Sequence, residues 1–130
     1  MKTTTTWKEK HRFESRQDEK SFTIDGDRIH GPGPKSLLLS GLAGCSGIDV
    51  VDILEKMRVE FSDLVIEAES EQTEEHPKVF TDILITYHLK TDPANEEKVR
   101  KAIELSLEKY CGVAAMLKKN SPVRYELVLE

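Results

Sequence analysis

The sequence predicts an α+β fold in which a long buried central helix packs on antiparallel sheet. Three observations carry this. The stretch GPGPKSLLLSGLAGCSGIDVVDILEKMR, Gly31 to Arg58, is apolar on almost every side from Leu37 to Leu54. A helix that faces water shows a single apolar stripe, so one apolar nearly all round belongs inside. Segments before and after it favour extended structure or alternate with a period of two, the mark of half-buried strands. A second helical pattern begins at Asp92-Pro93, where an N-cap residue precedes proline at the first helical position.

In chain order, Thr3 to Asp25 reads as strands. Thr3 to Thr6 and Trp7 favour extended backbone, Phe13 and Ser21 to Ile24 give two further candidates, and Asp25-Gly26-Asp27 is a turn signal. These strands are too polar to make a core alone. The central helix is expected from Pro34 to Arg58. Its fully apolar part is too short for a membrane span, and Asp49 and Asp52 interrupt it. Gly41, Gly44 and Gly47 recur every three residues there. Each costs about 1 kcal/mol relative to alanine, so a close neighbour is expected against that backbone. A hairpin is expected over Leu64 to Leu89. In it Leu64, Ile66 and Ala68, then Val79, Thr81, Ile83, Ile85, Tyr87 and Leu89, form the inward faces across the polar loop Thr73 to Lys78. The second helix is expected from Pro93 to Tyr110, with Val99, Ala102, Ile103, Leu105 and Ser106 inside. A short helix follows Cys111, Asn120-Ser121-Pro122 stops it, and a last strand runs to Leu129.

One domain is expected of 130 residues. A net charge of -5 argues against nucleic acid, which needs a basic patch. The N-terminus MKTTTTWKEK has no apolar core of a secretory signal, so a cytoplasmic location is expected. In that reducing setting the two cysteines read as reactive, metal-binding or simply buried rather than as a structural disulfide. His76 and His88 lack partners at ligand spacing and read as surface residues; no metal or other cofactor is expected. Cys45 lies among the helix glycines. Cys111 lies at a helix start, where free N–H groups make a thiol a candidate for a lowered pKa.

The segments GPGPKSLLLSGLAGCSGIDVVDIL and LSLEKYCGVAAMLKKN, with the hairpin EEHPKVFTDILITYHLK between them, resemble the OsmC/Ohr superfamily of osmotically induced and organic-hydroperoxide-resistance proteins. They look most like its broad OsmC-like branch. The resemblance covers nearly the whole chain and is weak before Ser21. It implies an OsmC-like fold and an intertwined homodimer, in which residues 1–30 complete the partner's sheet and two central helices are buried against each other. It implies a thiol peroxidase in which Cys45 attacks a hydroperoxide and Cys111 resolves the sulfenic acid. A dithiol, lipoyl-linked in some members, then reduces the disulfide. It also implies an activating arginine from the N-terminal strands. Arg12 and Arg16 compete for that role, and Arg12 is favoured because it sits beside Phe13. Ohr-type members carry a glutamate directly after the helix-start proline, and the broader branch often carries one a residue later; here Lys35 and Ser36 stand in those places. Two other readings fit the same residues: a non-catalytic dimer that binds a small ligand between its central helices, and a thiol redox sensor.

Overall fold

A computed structural model describes residues 1–130. Strands β1 (Thr4–Glu9), β2 (Arg12–Gln17) and β3 (Lys20–Asp25) precede helix α1 (Pro34–Lys56). Strands β4 (Ser62–Gln72) and β5 (Phe80–Lys90) follow. A 3₁₀ turn (Pro93–Asn95), helix α2 (Glu96–Leu105), a π-helical turn (Ser106–Tyr110), helix α3 (Gly112–Lys118) and strand β6 (Val123–Leu129) complete the chain. The contacts divide it into two compact units, Met1–Leu39 and Ser40–Glu130.

The first unit is an antiparallel meander, β1-β2-β3, with Trp7 opposite Phe13 and Phe13 opposite Ile24. Its buried residues are polar, Ser15 and Asp25, while Trp7 and Phe22 stay exposed. Asp25 organises the loop after β3: its carboxylate accepts the N–H groups of Asp27, Ile29 and His30 at 2.8, 3.3 and 3.0 Å. Those bonds hold its pKa below the usual carboxylate value. No apolar side chain is buried in this unit, as the polarity of the strands requires.

The second unit holds the core. One face of β5, formed by Ile83, Ile85, Tyr87 and Leu89, is fully buried together with Leu42, Val50 and Leu54 of α1 and Val99, Ala102 and Ile103 of α2. The ring of Tyr87 meets Tyr125 of β6 edge-on at 6.2 Å. Strands β4 and β5 pair antiparallel, with Ile66 opposite Tyr87 and Ala68 opposite Ile85. The expectation of antiparallel sheet is corrected at β6. It lies parallel to β5, with Ile85 opposite Tyr125, because the helical crossover between them returns the chain to the same end of the sheet.

Helix α1 corrects a second expectation. It is not buried all round in the chain. Leu42, Ser46, Val50 and Leu54 form one buried stripe at four-residue spacing, while Leu38 is 50% and Ile48 66% exposed. The glycines divide in the same way. A Cβ at Gly47 would come within 3.0 Å of Ile66 Cδ1, whereas one at Gly41 or Gly44 would meet nothing within 4 Å. Only Gly47 therefore answers to a close neighbour within the chain. By length and composition α1 could cross a membrane; its packed stripe and its hydrogen-bonded Asp49 are features of a protein core. The helix ends at Lys56, two residues early. The N–H of Val59 reaches the carbonyl of Leu54, the N–H of Arg58 reaches that of Glu55, and Arg58 takes a left-handed φ of 57°. This is a Schellman ending with arginine where glycine is usual.

Candidate functional site

The site lies in the second unit and is built from α1, β5 and the α2–α3 junction. The side chain of Asp92 caps the 3₁₀ turn by accepting the N–H of Ala94 at 2.9 Å, and α2 then brings Val99, Ala102 and Ile103 onto the core. After Leu105 the helix widens. The N–H of Cys111 reaches the carbonyl of Ser106 at 2.7 Å, a spacing of five residues rather than four. π-turns of this kind are uncommon and are frequent at functional sites. The ammonium group of Lys118 donates to the carbonyl of Leu107 inside the turn at 2.5 Å.

The wide turn delivers Cys111 to the N-cap of α3. There its sulfur accepts the N–H of Ala114 at 3.3 Å. Cys111 is buried and Cys45 is half-buried. The structure brings the two thiols near enough to interact, although 66 residues separate them. The expected lowering of the Cys111 pKa is overturned. Burial, with the neighbouring Cys45 and the charge of Asp49 adding to it, pushes it up to about 11, and the single Ala114 N–H does not offset that. Cys111 is thus held as the thiol.

A chain of buried hydroxyls runs beside the pair. Tyr87 Oη lies 2.6 Å from Ser46 Oγ, Ser46 Oγ lies 2.8 Å from Ser106 Oγ, and Ser106 Oγ lies 2.9 Å from Asp49 Oδ2. An ionised carboxylate only accepts, and each hydroxyl has one proton. Ser106 is therefore the donor at the centre, its one proton shared between Asp49 and Ser46, and Ser46 and Tyr87 share the next hydrogen bond. Burial is the main reason that the Tyr87 hydroxyl is pushed up to about 12. No buried side-chain nitrogen or oxygen lacks a hydrogen-bond partner. Ser46, Asp49, Tyr87 and Ser106 carry no sequence signal as site residues. Asp49 reads as an interruption of an apolar helix, and Ser106 and Tyr87 read as inward positions. The one available hint is that three of the four are polar on faces predicted to be buried.

Other candidates lie elsewhere. Arg12 is in the first unit, on β2, with Nη2 3.3 Å from Glu9 Oε1. Arg16 is exposed on the same strand. Ser36, at a glutamate place of the resemblance, donates to the carbonyl of Gly33 at 2.8 Å. His88, read as a surface residue, sits on the outer side of β5 between Glu67 Oε1 at 2.6 Å and Glu130 Oε1 at 3.6 Å. An open apolar groove runs along α1 and β4, lined by Ala43, Gly44, Gly47, Ile48, Val51 and Ile66.

Comparison with known proteins places the fold. Residues 25–126 match the family described as OsmC-like protein. Protein YhfA of Escherichia coli K12 is 40% identical over 105 residues, which cover 79% of this chain and 77% of YhfA. Among solved structures, the OsmC-like protein of Mycoplasma pneumoniae superposes with a TM-score of 0.86 at 17% identity, over 98% of this chain and 95% of that one. The organic hydroperoxide resistance protein OhrB of Bacillus subtilis superposes with a TM-score of 0.66 at 21% identity, over 98% and 96%. At those identities the two structures speak for the fold.

Proposed function

We propose that this chain, which belongs to the OsmC-like protein family, is a thiol peroxidase that reduces hydroperoxides with Cys45 and Cys111 as its redox pair. The observation that carries this reading is the approach of the two free cysteines to each other, Cys45 from α1 and Cys111 from the start of α3. Two free cysteines near each other, one half-buried and one buried, suit an attacking and a resolving role. The Cys45 thiolate attacks the outer oxygen of ROOH. The O–O bond breaks, RO⁻ takes a proton to leave as ROH, and Cys45 becomes a sulfenic acid. Cys111 then attacks that sulfur. The S–S bond forms, the S–O bond breaks, and the Cys111 proton leaves with the hydroxyl as water. A dithiol reductant, of the lipoyl-linked class that the resemblance suggests, returns the pair to thiols and is itself oxidised to a disulfide.

The assembly proposed for this chemistry is a homodimer in a reducing, cytoplasmic setting. A first unit without a buried apolar side chain and the exposed glycine face of α1 both favour a partner copy. Arg12, brought by the partner's strand, is the proposed activator of Cys45; a guanidinium fixes a thiolate by charge and directed donors. Intact-mass spectrometry after a stoichiometric pulse of an organic hydroperoxide tests the reading. Wild type is expected to form an internal disulfide, Cys111→Ser to accumulate sulfenic then sulfinic acid at Cys45, and Cys45→Ser to consume no peroxide. A wild type whose thiols stay reduced, or a fully active Cys45→Ser, defeats it and leaves ligand binding as the alternative.

A further inference from the structure

Resting on the peroxidase reading above, we propose that Lys118 is a positioning residue for the resolving cysteine: its ammonium group replaces the Cys111 N–H on the Leu107 carbonyl and so holds open the π-turn that carries Cys111 to Cys45. In an α-turn the Cys111 N–H would reach the carbonyl four residues back, that of Leu107. Here it reaches the carbonyl of Ser106 at 2.7 Å. Leu107 is only 6% exposed, and a buried carbonyl that has lost its donor is costly. Lys118 Nζ donates to that carbonyl at 2.5 Å. A bond from a charged donor is stronger than the amide bond it replaces.

The sequence places Lys118 for this. It follows Cys111 by seven residues and Ala114 by four, so all three lie on one side of α3. Ala114 on that side is fully buried. From the far end of the same side the ammonium reaches back to the turn that precedes the helix. The other edge of the turn is fixed from α1, where Ser46 Oγ and Asp49 Oδ2 lie 2.8 and 2.9 Å from Ser106 Oγ. Ser106 and Leu107, the two carbonyls between which the Cys111 N–H chooses, are thus held from two different helices.

This hold has a chemical use. The second step needs the Cys111 sulfur within about 3–3.5 Å of the Cys45 sulfenic sulfur. There S–S forms, S–O breaks and the Cys111 proton leaves with the hydroxyl as water. A turn already open in the thiol state spares that step the ordering of its backbone. Lys118 bonds to a backbone carbonyl and to no reacting atom. Its loss is therefore expected to slow resolution and to spare the attack of Cys45 on peroxide, so that sulfinic acid builds up at Cys45 under excess peroxide.

The test is the equilibrium of the Cys45–Cys111 pair of the full-length protein in glutathione redox buffers at pH 7, without peroxide, read by thiol labelling and intact mass. Lys118→Met keeps an apolar stem and removes the donors. It is expected to make the disulfide about tenfold easier to reduce, a potential about 30 mV less negative. Lys118→Arg, which keeps charge and donors, and Lys119→Met, at the exposed neighbour, are expected to stay near wild type. Lys118→Ala is a second donor-free variant should Lys118→Met fold poorly. A loss of global stability common to the thiol and disulfide forms leaves this equilibrium unmoved. An unchanged potential in both donor-free variants, an equal shift in Lys118→Arg or Lys119→Met, or a wild type that forms no internal disulfide overturns the proposal. A wild type that shows this redox pattern but consumes no peroxide removes the peroxidase and leaves the hold of Lys118 on the turn standing.

Discussion

The Cys111 thiol is stabilised by its surroundings only while it is protonated. Its folded pKa lies above its unfolded value, so the stabilisation is complete below about 9 and is lost as pH rises toward about 11. Urea unfolding at pH 7 and pH 10 is expected to show a larger loss of stability for wild type than for Cys111→Ala. Equal losses would mean that the buried thiol is not what titrates. Tyr87 gives a second residue-scale prediction. Its hydroxyl is buried and hydrogen-bonded to Ser46 Oγ at 2.6 Å. Ser46→Ala leaves the buried hydroxyls of Tyr87 and Ser106 each short of a partner, at a cost of about 1–3 kcal/mol, measurable as a lower urea midpoint with an unchanged slope. Both cysteines were legible in the sequence as candidates. Asp49, Ser46 and Ser106 were not, because periodicity assigns a polar residue to solvent or to a gap in the core, whereas these satisfy one another across three elements.

At the scale of elements, the left-handed arginine at the end of α1 is the most exposed weakness. A residue with a Cβ pays about 1–2 kcal/mol to hold that conformation, while glycine holds it at no steric penalty. Arg58→Gly is therefore expected to raise stability, by up to about 1 kcal/mol once the greater freedom of unfolded glycine is set against it. A fall in melting temperature would show that the arginine side chain makes a contact worth more than the strain. Strands β4 and β5, α1 and the Asp92 cap were legible from spacing and capping chemistry. The parallel pairing of β6 and the π-turn were not. Val123 to Leu129 alternates identically in either direction, and Ser106 to Tyr110 continues a helical pattern whose hydrogen-bond spacing leaves no mark on residue types.

At the scale of the molecule, the glycines of α1 offer a test with a sign. In an isolated chain a methyl at Gly44 meets nothing, and Gly44→Ala should stabilise the helix by about 1 kcal/mol. In a dimer whose central helices approach at that face, the same methyl intrudes and the variant should be less stable than wild type. Thermal melting together with sedimentation distinguishes the two, and a gain in stability would speak against helix-to-helix pairing at Gly44. The sequence pattern pointed to burial on every side of α1, and the chain buries one stripe. Hydrophobic periodicity records that a surface avoids water and is silent on which molecule covers it.

The π-turn between α2 and α3 accommodates one residue more than an α-turn. Each residue of an α-helix advances the chain by about 100° around its axis. Loss of a single codon within Ser106 to Tyr110, such as that of exposed Glu108, would let the turn close to ordinary α-helix. Cys111 would then swing about a quarter of a revolution away from Cys45. Both cysteines would still be encoded, and a count of cysteines across genes would score them as intact. The spacing between Ser106 and Cys111 is thus part of the heritable definition of the proposed redox pair, as much as the two sulfurs themselves.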